Sequence, residues 1–417
     1  MAAGASAATG TTLYVDRGNA VCSDSGSGTL TEPFCTVNGA AAKVTAGQTV
    51  QVASGTYPER VVVRTSGTST APIVFTAAPG ASVTVSGQVN GFYVSKKSWV
   101  TIDGFTVTNT SDYGISVAGS AHITVSRNHV SYAGRPVSGY TKYGIRLSDV
   151  DDSLLSRNVV DHNSNSGIAL VSGSTRNEVR DNETFSNARG YDRAAAGIHV
   201  YGAPGNTIAG NIAHHNEDSG INLYGGSYDS VVFDNVTYAN GDHGIDDSNA
   251  RGATIVANTV YKNVTAGINV EGKSTGATLR NNISVDNGMN SPRSHGNIRV
   301  DSNSISGTTL DYDLVYLSAP DILLIWGSTS YTSLAAFQKA SGQETHAINA
   351  DPKWRAAAQG DFHLMAGSPA IDSADSGAKN QPPVDIDGRA RVDDPATPDT
   401  GVGTRPYDDR GAYEFAL

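Results

Sequence analysis

Apolar and polar positions alternate in a series of short runs through the middle of this 417-residue chain. Most runs open with Gly-Ile and carry a second apolar residue two positions later. They read GISVAG at Gly114, GIRLSD at Gly144, GIALVSG at Gly167 and GIHVYG at Gly197, then GINLYG at Gly220, GIDDSN at Gly244, GINVEG at Gly267 and NIRVDS at Asn297. A period of two along the run is the pattern of a strand with one buried face. The starts are separated by 30, 23, 30, 23, 24, 23 and 30 residues. A fixed step of this size means that each repeat is one coil, stacked on the next to bury a continuous core.

Two further ladders keep the same step. Asn128, Asn158, Asn182, Asn211, Asn235, Asn258 and Asn282 each follow a short β-rich run, and Asn163, Asn187, Asn216, Asn240, Asn263 and Asn287 mark a third point of the coil. Asparagine tolerates the left-handed conformation and bonds nearby backbone, so these positions are expected at tight corners, with side chains bonding from coil to coil. Three short strands per coil of about 23 residues predict an all-β, right-handed parallel β-helix. The Leu-x-x-Leu-x-Leu pattern of a leucine-rich solenoid is absent.

The 30-residue steps contain insertions at 132–142, 186–196 and 287–295, each just before a Gly-Ile strand. All three are expected beside one edge of one sheet, where inserted loops commonly bind ligands. Residues 1–95 predict a cap and first coils, including strands at TLYVD and TVQVASGTY and a short helix at TVNGAAAKV. The regular helix with its groove follows over 96–304. Residues 305–417 predict irregular final coils and a C-terminal cap, with a helix at SLAAFQKAS, all within one continuous domain.

Alternation sorts the outward residues of the Gly-Ile strands into two columns. The first is Ser116, Arg146, Ala169, His199, Asn222, Asp246, Asn269 and Arg299; the second is Ala118, Ser148, Val171, Tyr201, Tyr224, Ser248, Glu271 and Asp301. Asp247 breaks the pattern, because alternation sends it inward, and a bulge or a metal would account for it. Neighbours in a column lie ~4.8 Å apart.

Bulk composition narrows the function. The net charge of −11 argues against a nucleic-acid partner, and no apolar run approaches the ~20 residues that span a bilayer. Against the acidic background, Arg135, Lys142, Arg189, Arg193 and Arg293 lie in the inserted loops, and Arg146 and Arg299 in the outward column. This predicts an anionic polymer ligand, with Asn269 as a further contact and Tyr140, Tyr191, Tyr201 and Tyr224 as stacking surfaces. Cys22 and Cys35 flank a Ser/Gly-rich stretch and are expected to form a disulfide. The cysteines, together with a start that looks like a mature exported protein preceded by an added Met, predict a secreted, extracellular protein. A monomer is expected.

The opening TLYVD…GSGTLTEPFCTVNGAAAKV…GQTVQVASGTYPERV and the ending GSPAID…DIDGRAR…DRGAYEF resemble secreted bacterial β-helix proteins of the pectate-lyase superfamily. The resemblance covers nearly the whole chain and implies the fold and secretion. The superfamily holds polysaccharide lyases, glycoside hydrolases, uronate epimerases and surface proteins, and the termini do not choose among them. DHGID also resembles the acidic calcium cluster of one group of its lyases. Asp242 and Asp246 match, with Asp218 one coil earlier, and His243 replaces an aspartate. This implies Ca²⁺ as the metal, on Asp218, Asp242 and Asp246. The strand position of that group's lysine base is Asn269 here, and Lys273 falls in the turn that follows.

Three chemistries then compete. A polysaccharide lyase acting on a uronate-containing polymer by β-elimination would use His199 as base, Asn222 as neutraliser and Tyr201 or Tyr224 as acid. A uronate C5-epimerase is a close variant. An inverting glycoside hydrolase would use Asp246 and Glu271, whose separation the strand geometry puts at ~8 Å. A non-catalytic glycan-binding β-helix needs the groove alone.

Overall fold

The computed structural model describes residues 11–134, 142–188, 195–289 and 291–416. Its contacts divide the chain into two compact units, 1–178 and 179–417. Both units are built from parallel β-coils.

In the first unit, the strands Phe92–Ser95, Ile115–Ser126, Ile145–Asp151 and Ile168–Val171 pair in parallel, each with the next. Strands also form at Thr12–Val15, Thr49–Val52 and Gly55–Tyr57, and a helix at Val37–Ala41, all where the sequence places them. Cys22 and Cys35 form a disulfide.

In the second unit the Gly-Ile strands are Ile198–Tyr201, Ile221–Tyr224, Ile245–Ser248, Ile268–Glu271 and Ile298–Asp301. Each coil continues through a second strand, such as Thr254–Val256, and a third, such as Thr259–Tyr261. Register is in phase: Ile198 pairs with Ile221, Ile221 with Ile245, Ile245 with Ile268 and Ile268 with Ile298. These isoleucines and Val200, Leu223, Val270 and Val300 are fully buried. Among them Asp247 occupies an apolar rung, paired with Leu223 and Val270 without a bulge.

The asparagines hold the corners differently from the expectation. Left-handed backbone falls on the residue before each ladder asparagine, for example Asp234 (φ 52°), Ala257 (φ 54°), Ala239 (φ 52°) and Lys262 (φ 47°). The asparagine side chain turns inward instead. Asn235 Nδ2 donates to the carbonyls of Ile208 and Phe233 and to Asn258 Oδ1, at 2.9, 2.9 and 3.0 Å. Its own Oδ1 accepts from the backbone N–H and side-chain amide of Asn211. The corner needs a carboxamide inside to satisfy buried backbone groups, and the adjacent residue supplies the turn.

The predicted C-terminal helix forms at Leu334–Ser341. The final segment returns to the coils, packing Phe362, Ala412 and Tyr413 against Val236. No described helix is long and apolar enough to cross a membrane.

Candidate functional site

The strand register of the second unit brings the predicted columns together. His199, Asn222, Asp246, Asn269 and Arg299 stand side by side on five successive strands, and Tyr201, Tyr224, Ser248 and Glu271 form the second column. A cleft of about 350 Å³ is lined by Asp218, Asp242, His243, Asp246, Glu271, Arg293, Ser294 and Arg299. Arg293 and Ser294 belong to the insertion 287–295, which does reach the groove.

Asp246 lies at the floor. Asn222 Nδ2 donates to its Oδ2 at 2.8 Å and Asn269 Nδ2 to its Oδ1 at 2.7 Å, one amide from each neighbouring coil. Burial, reinforced by the charge of Glu271, pushes the Asp246 carboxyl up to about 8, against the hydrogen bond from Asn269. It therefore carries a proton at neutral pH. A half-turn of the Asn222 amide would turn its buried Oδ1 to accept the proton of Asp246.

Glu271 projects from the second column, where Arg299 Nη1 bonds its Oε2 at 2.6 Å and Asn269 Oδ1 at 2.6 Å. An oxygen of Glu271, an oxygen of Asp246 and a ring nitrogen of His243 all lie within 4.8 Å of one another. The ~8 Å expected from backbone spacing is thus too long. The longer glutamate side chain leans across toward Arg299 and Asn269, closing the diagonal between columns.

His243 sits at the entry to its strand, nearly buried, with Nδ1 2.8 Å from Thr265 Oγ1. Burial lowers its pKa, against the pull of Asp242 and Glu271. Asp242 Oδ1 accepts from Thr265 Oγ1 at 2.6 Å and from Arg293 Nη2 at 3.0 Å. Burial would raise its pKa, but His243, Thr265 and Arg293 outweigh that and hold it low. The sequence pattern flagged His243 only as a substitution and missed Thr265 and Ser294. Their signal was positional, because the turns before Gly220, Gly244 and Asn297 line the cleft and Thr265 lies in the turn before Gly267.

The expected calcium set does not converge: the described donors that approach one another are His243, Asp246 and Glu271, not Asp218, Asp242 and Asp246. Asp242 is turned toward Thr265 and Arg293. Two guanidinium groups supply the positive charge that a cation would bring, and one donor is an imidazole. Calcium takes six to eight hard oxygens, so the cleft does not fit it.

His199 is half-buried beside this group, and burial pushes its pKa down to about 4, partly opposed by Asn222. Tyr201 and Tyr224 are 50% and 44% exposed. Their rings lie 5.6 Å apart, with the His199 ring 6.1 and 6.4 Å away. The three form a wall along the strands.

Other expected contacts differ. Asn269 is fully buried and serves to position Asp246 and Arg299. Lys142 and Arg146 belong to the first unit, where Lys142 pairs with Asp112 at 2.7 Å and both lie over the Tyr113 ring. Arg135, Tyr140, Arg189, Tyr191 and Arg193 lie outside the described residues.

The sequence model described as the right-handed β-helix region matches residues 81–192, 143–284 and 184–310, more than half of the chain. The chain belongs to the right-handed β-helix family. A Pel9A-like β-helix model matches residues 14–130. The chain is 29% identical over 435 residues to the uncharacterized protein YwoF of Bacillus subtilis (strain 168), covering 86% of this chain and 92% of that one. Among solved structures it is similar to pectate lyase Pel9A (TM-score 0.60, 16% identity, 98% of each chain). It is also similar to XylC in complex with xylose (0.56, 13%, 81% and 83%). A third likeness is to the GH136 lacto-N-biosidase of Eubacterium ramulus (0.54, 12%, 76% and 67%). At these identities the likenesses establish the pectate-lyase-like fold.

Proposed function

We propose that this protein is a carbohydrate-active enzyme that cleaves glycosidic bonds by hydrolysis at Asp246 and Glu271, with retention of configuration. The carrying observation is the carboxyl pair, one held protonated by burial and the other ion-paired to Arg299, with oxygens within 4.8 Å. Retaining glycosidases keep their carboxyls ~5–5.5 Å apart, whereas inverting enzymes need ~6.5–9.5 Å to admit a water between acid and base.

In the first step Glu271 attacks the anomeric carbon while Asp246 gives its proton to the departing oxygen. A glycosyl ester forms and the glycosidic C–O bond breaks. In the second step water attacks the anomeric carbon, Asp246 takes the water's proton, and the ester bond to Glu271 breaks. Asn222 and Asn269 hold Asp246, and Arg299 orients Glu271. Tyr201 and Tyr224 offer apolar faces to sugar rings. Pel9A, XylC and the lacto-N-biosidase are named for activity on, or binding of, carbohydrate, which supports a glycan substrate.

The second reading is β-elimination on a uronate polymer. It is favoured by His199, which stands neutral beside the cleft because burial lowers its pKa, and by its neighbours Tyr201 and Tyr224. It is weakened by the arginines, because both Arg293 and Arg299 already serve carboxylates.

Incubation with neutral and uronate-containing polysaccharides separates the two. Hydrolysis yields new reducing ends without absorbance at ~235 nm and loses at least ~10²-fold in rate in both Asp246→Asn and Glu271→Gln. Absorbance at that wavelength, lost in His199→Ala but retained in Glu271→Gln, would replace the hydrolase with the lyase. Products from neither class, with binding intact, would leave a glycan-binding β-helix.

A further inference from the structure

We propose that Asp372, Asp393 and Asp399, far along the chain from the cleft residues, form a structural calcium site that ties the loop 393–401 to the rest of the C-terminal segment. A carboxylate oxygen from each of the three lies within 4.8 Å of the other two. Asp372 is fully buried, and its Oδ2 has no hydrogen-bond partner. A buried carboxylate aimed into two others is costly unless a cation or donors compensate it.

Basic side chains do not fill that role among the described residues. The arginines nearest in sequence are committed elsewhere: Arg389 to Asp387, Arg391 to Asp234 and Glu414, and Arg405 to Asp408. The surrounding backbone is already built around Asp372. Its carbonyl accepts from the N–H groups of Thr400 and Gly401 at 2.8 and 3.1 Å and from Thr400 Oγ1 at 3.2 Å. Its N–H donates to Asp409 Oδ1 at 2.8 Å. Asp394 Oδ2 accepts from Thr397 Oγ1 at 2.7 Å, which folds the Asp-Pro-Ala-Thr-Pro-Asp stretch on itself. Pro395 and Pro398 restrict this loop further. The donors are all hard oxygens, and Asp393 and Asp399 are exposed, leaving room for water or carbonyl ligands. That chemistry suits Ca²⁺ over a thiol- or imidazole-seeking metal.

The test uses the full chain stripped with a chelator and then titrated with CaCl₂, read by thermal unfolding and by titration calorimetry. Calcium at a hundredfold excess over its Kd is expected to raise Tm by about 3 °C. The double variant Asp393→Asn/Asp399→Asn is expected to keep the Tm of the stripped protein and to lose the calcium shift. Asp242→Asn in the cleft is expected to retain it. The proposal is overturned by a wild-type protein that shows neither a calcium shift nor binding heat. It is equally overturned by a shift that survives in the double variant.

Discussion

Asp246 and Asp247 are adjacent residues with opposite environments, one on the cleft floor and one in the core. Asp246 reaches a pKa of about 8 chiefly through burial. Since its usual value is 3.8, the folded protein holds a proton that the unfolded chain releases between those limits. The stability linked to that proton is complete below about pH 3.8 and is lost as pH rises through about 8. The Asp246→Asn variant should therefore show a flatter Tm-versus-pH curve across that window. Wild-type hydrolysis should fall above about pH 8, where the acid loses its proton. A rate that continues to rise beyond that point would remove Asp246 as the acid. Asp247 is fully buried, and burial drives its carboxyl well above the usual range, against a hydrogen bond from Ser274. With Leu223 and Val270 on either side, Asp247→Val should stabilise the protein by about 1–3 kcal/mol, as measured by denaturant unfolding at neutral pH. A loss of stability would show that the carboxyl does more than occupy the rung. Strand alternation alone located both aspartates. It did not reveal that Asp247 keeps its rung without a bulge, because that depends on the register of the neighbouring strands.

At the scale of the element, the coil was legible because a period of two leaves no freedom over which face is buried. His199, Asn222, Asp246, Asn269 and Arg299 fall in one column as the Gly-Ile spacing requires. Side-chain lean was not legible, and this is why Asp246 and Glu271 are closer than backbone spacing suggests. The corners were half legible: asparagine marked them, but the left-handed residue is its predecessor, which has no common chemistry among Asp234, Ala257 and Lys262. What repeats is the demand for an inward carboxamide. Asn235→Ala should therefore cost about 2–4 kcal/mol, since it strands the backbone N–H of Asn211 and the carbonyls of Ile208 and Phe233. Asn235→Asp should also destabilise the protein, because a carboxylate keeps the acceptor and loses the donor. Equal stability of wild type and both variants in chemical denaturation would reduce the ladder to a packing role.

At the scale of the whole molecule, the C-terminal segment shows what a resemblance conveys and what it leaves out. The motif DIDGRAR…DRGAYEF marked the family, but its physical content is a buried charge network. Arg391 is fully buried between Asp234, on a coil, and Glu414, near the chain's end, at 3.1 Å from each. Arg410 donates to the carbonyls of Ser373, Asp313 and His346 at 3.0–3.1 Å. Gly411 and Ala412 then bond Asn281 O and Thr259 Oγ1 at 2.7 and 3.0 Å. Sequence could not assign these partners, which stand 97 to 157 positions away for Arg410 with Asp313 and Arg391 with Asp234. The network latches the segment onto the coils through charges that have no water to fall back on. Breaking one side of such a pair leaves the other buried and uncompensated, so Arg391→Ala should cost about 3–5 kcal/mol. Removing Asp234 together with the arginine, in Arg391→Met/Asp234→Leu, should recover part of that loss, with Glu414 still held by the N–H groups of Val392 and Asp409. Protease digestion gives the matching readout: Arg391→Ala should expose the segment after residue 380 to cleavage while the coils stay resistant. If instead the coils and the segment are cut together, the latch is part of one cooperative unit with the β-coils and the stability of the cleft depends on it.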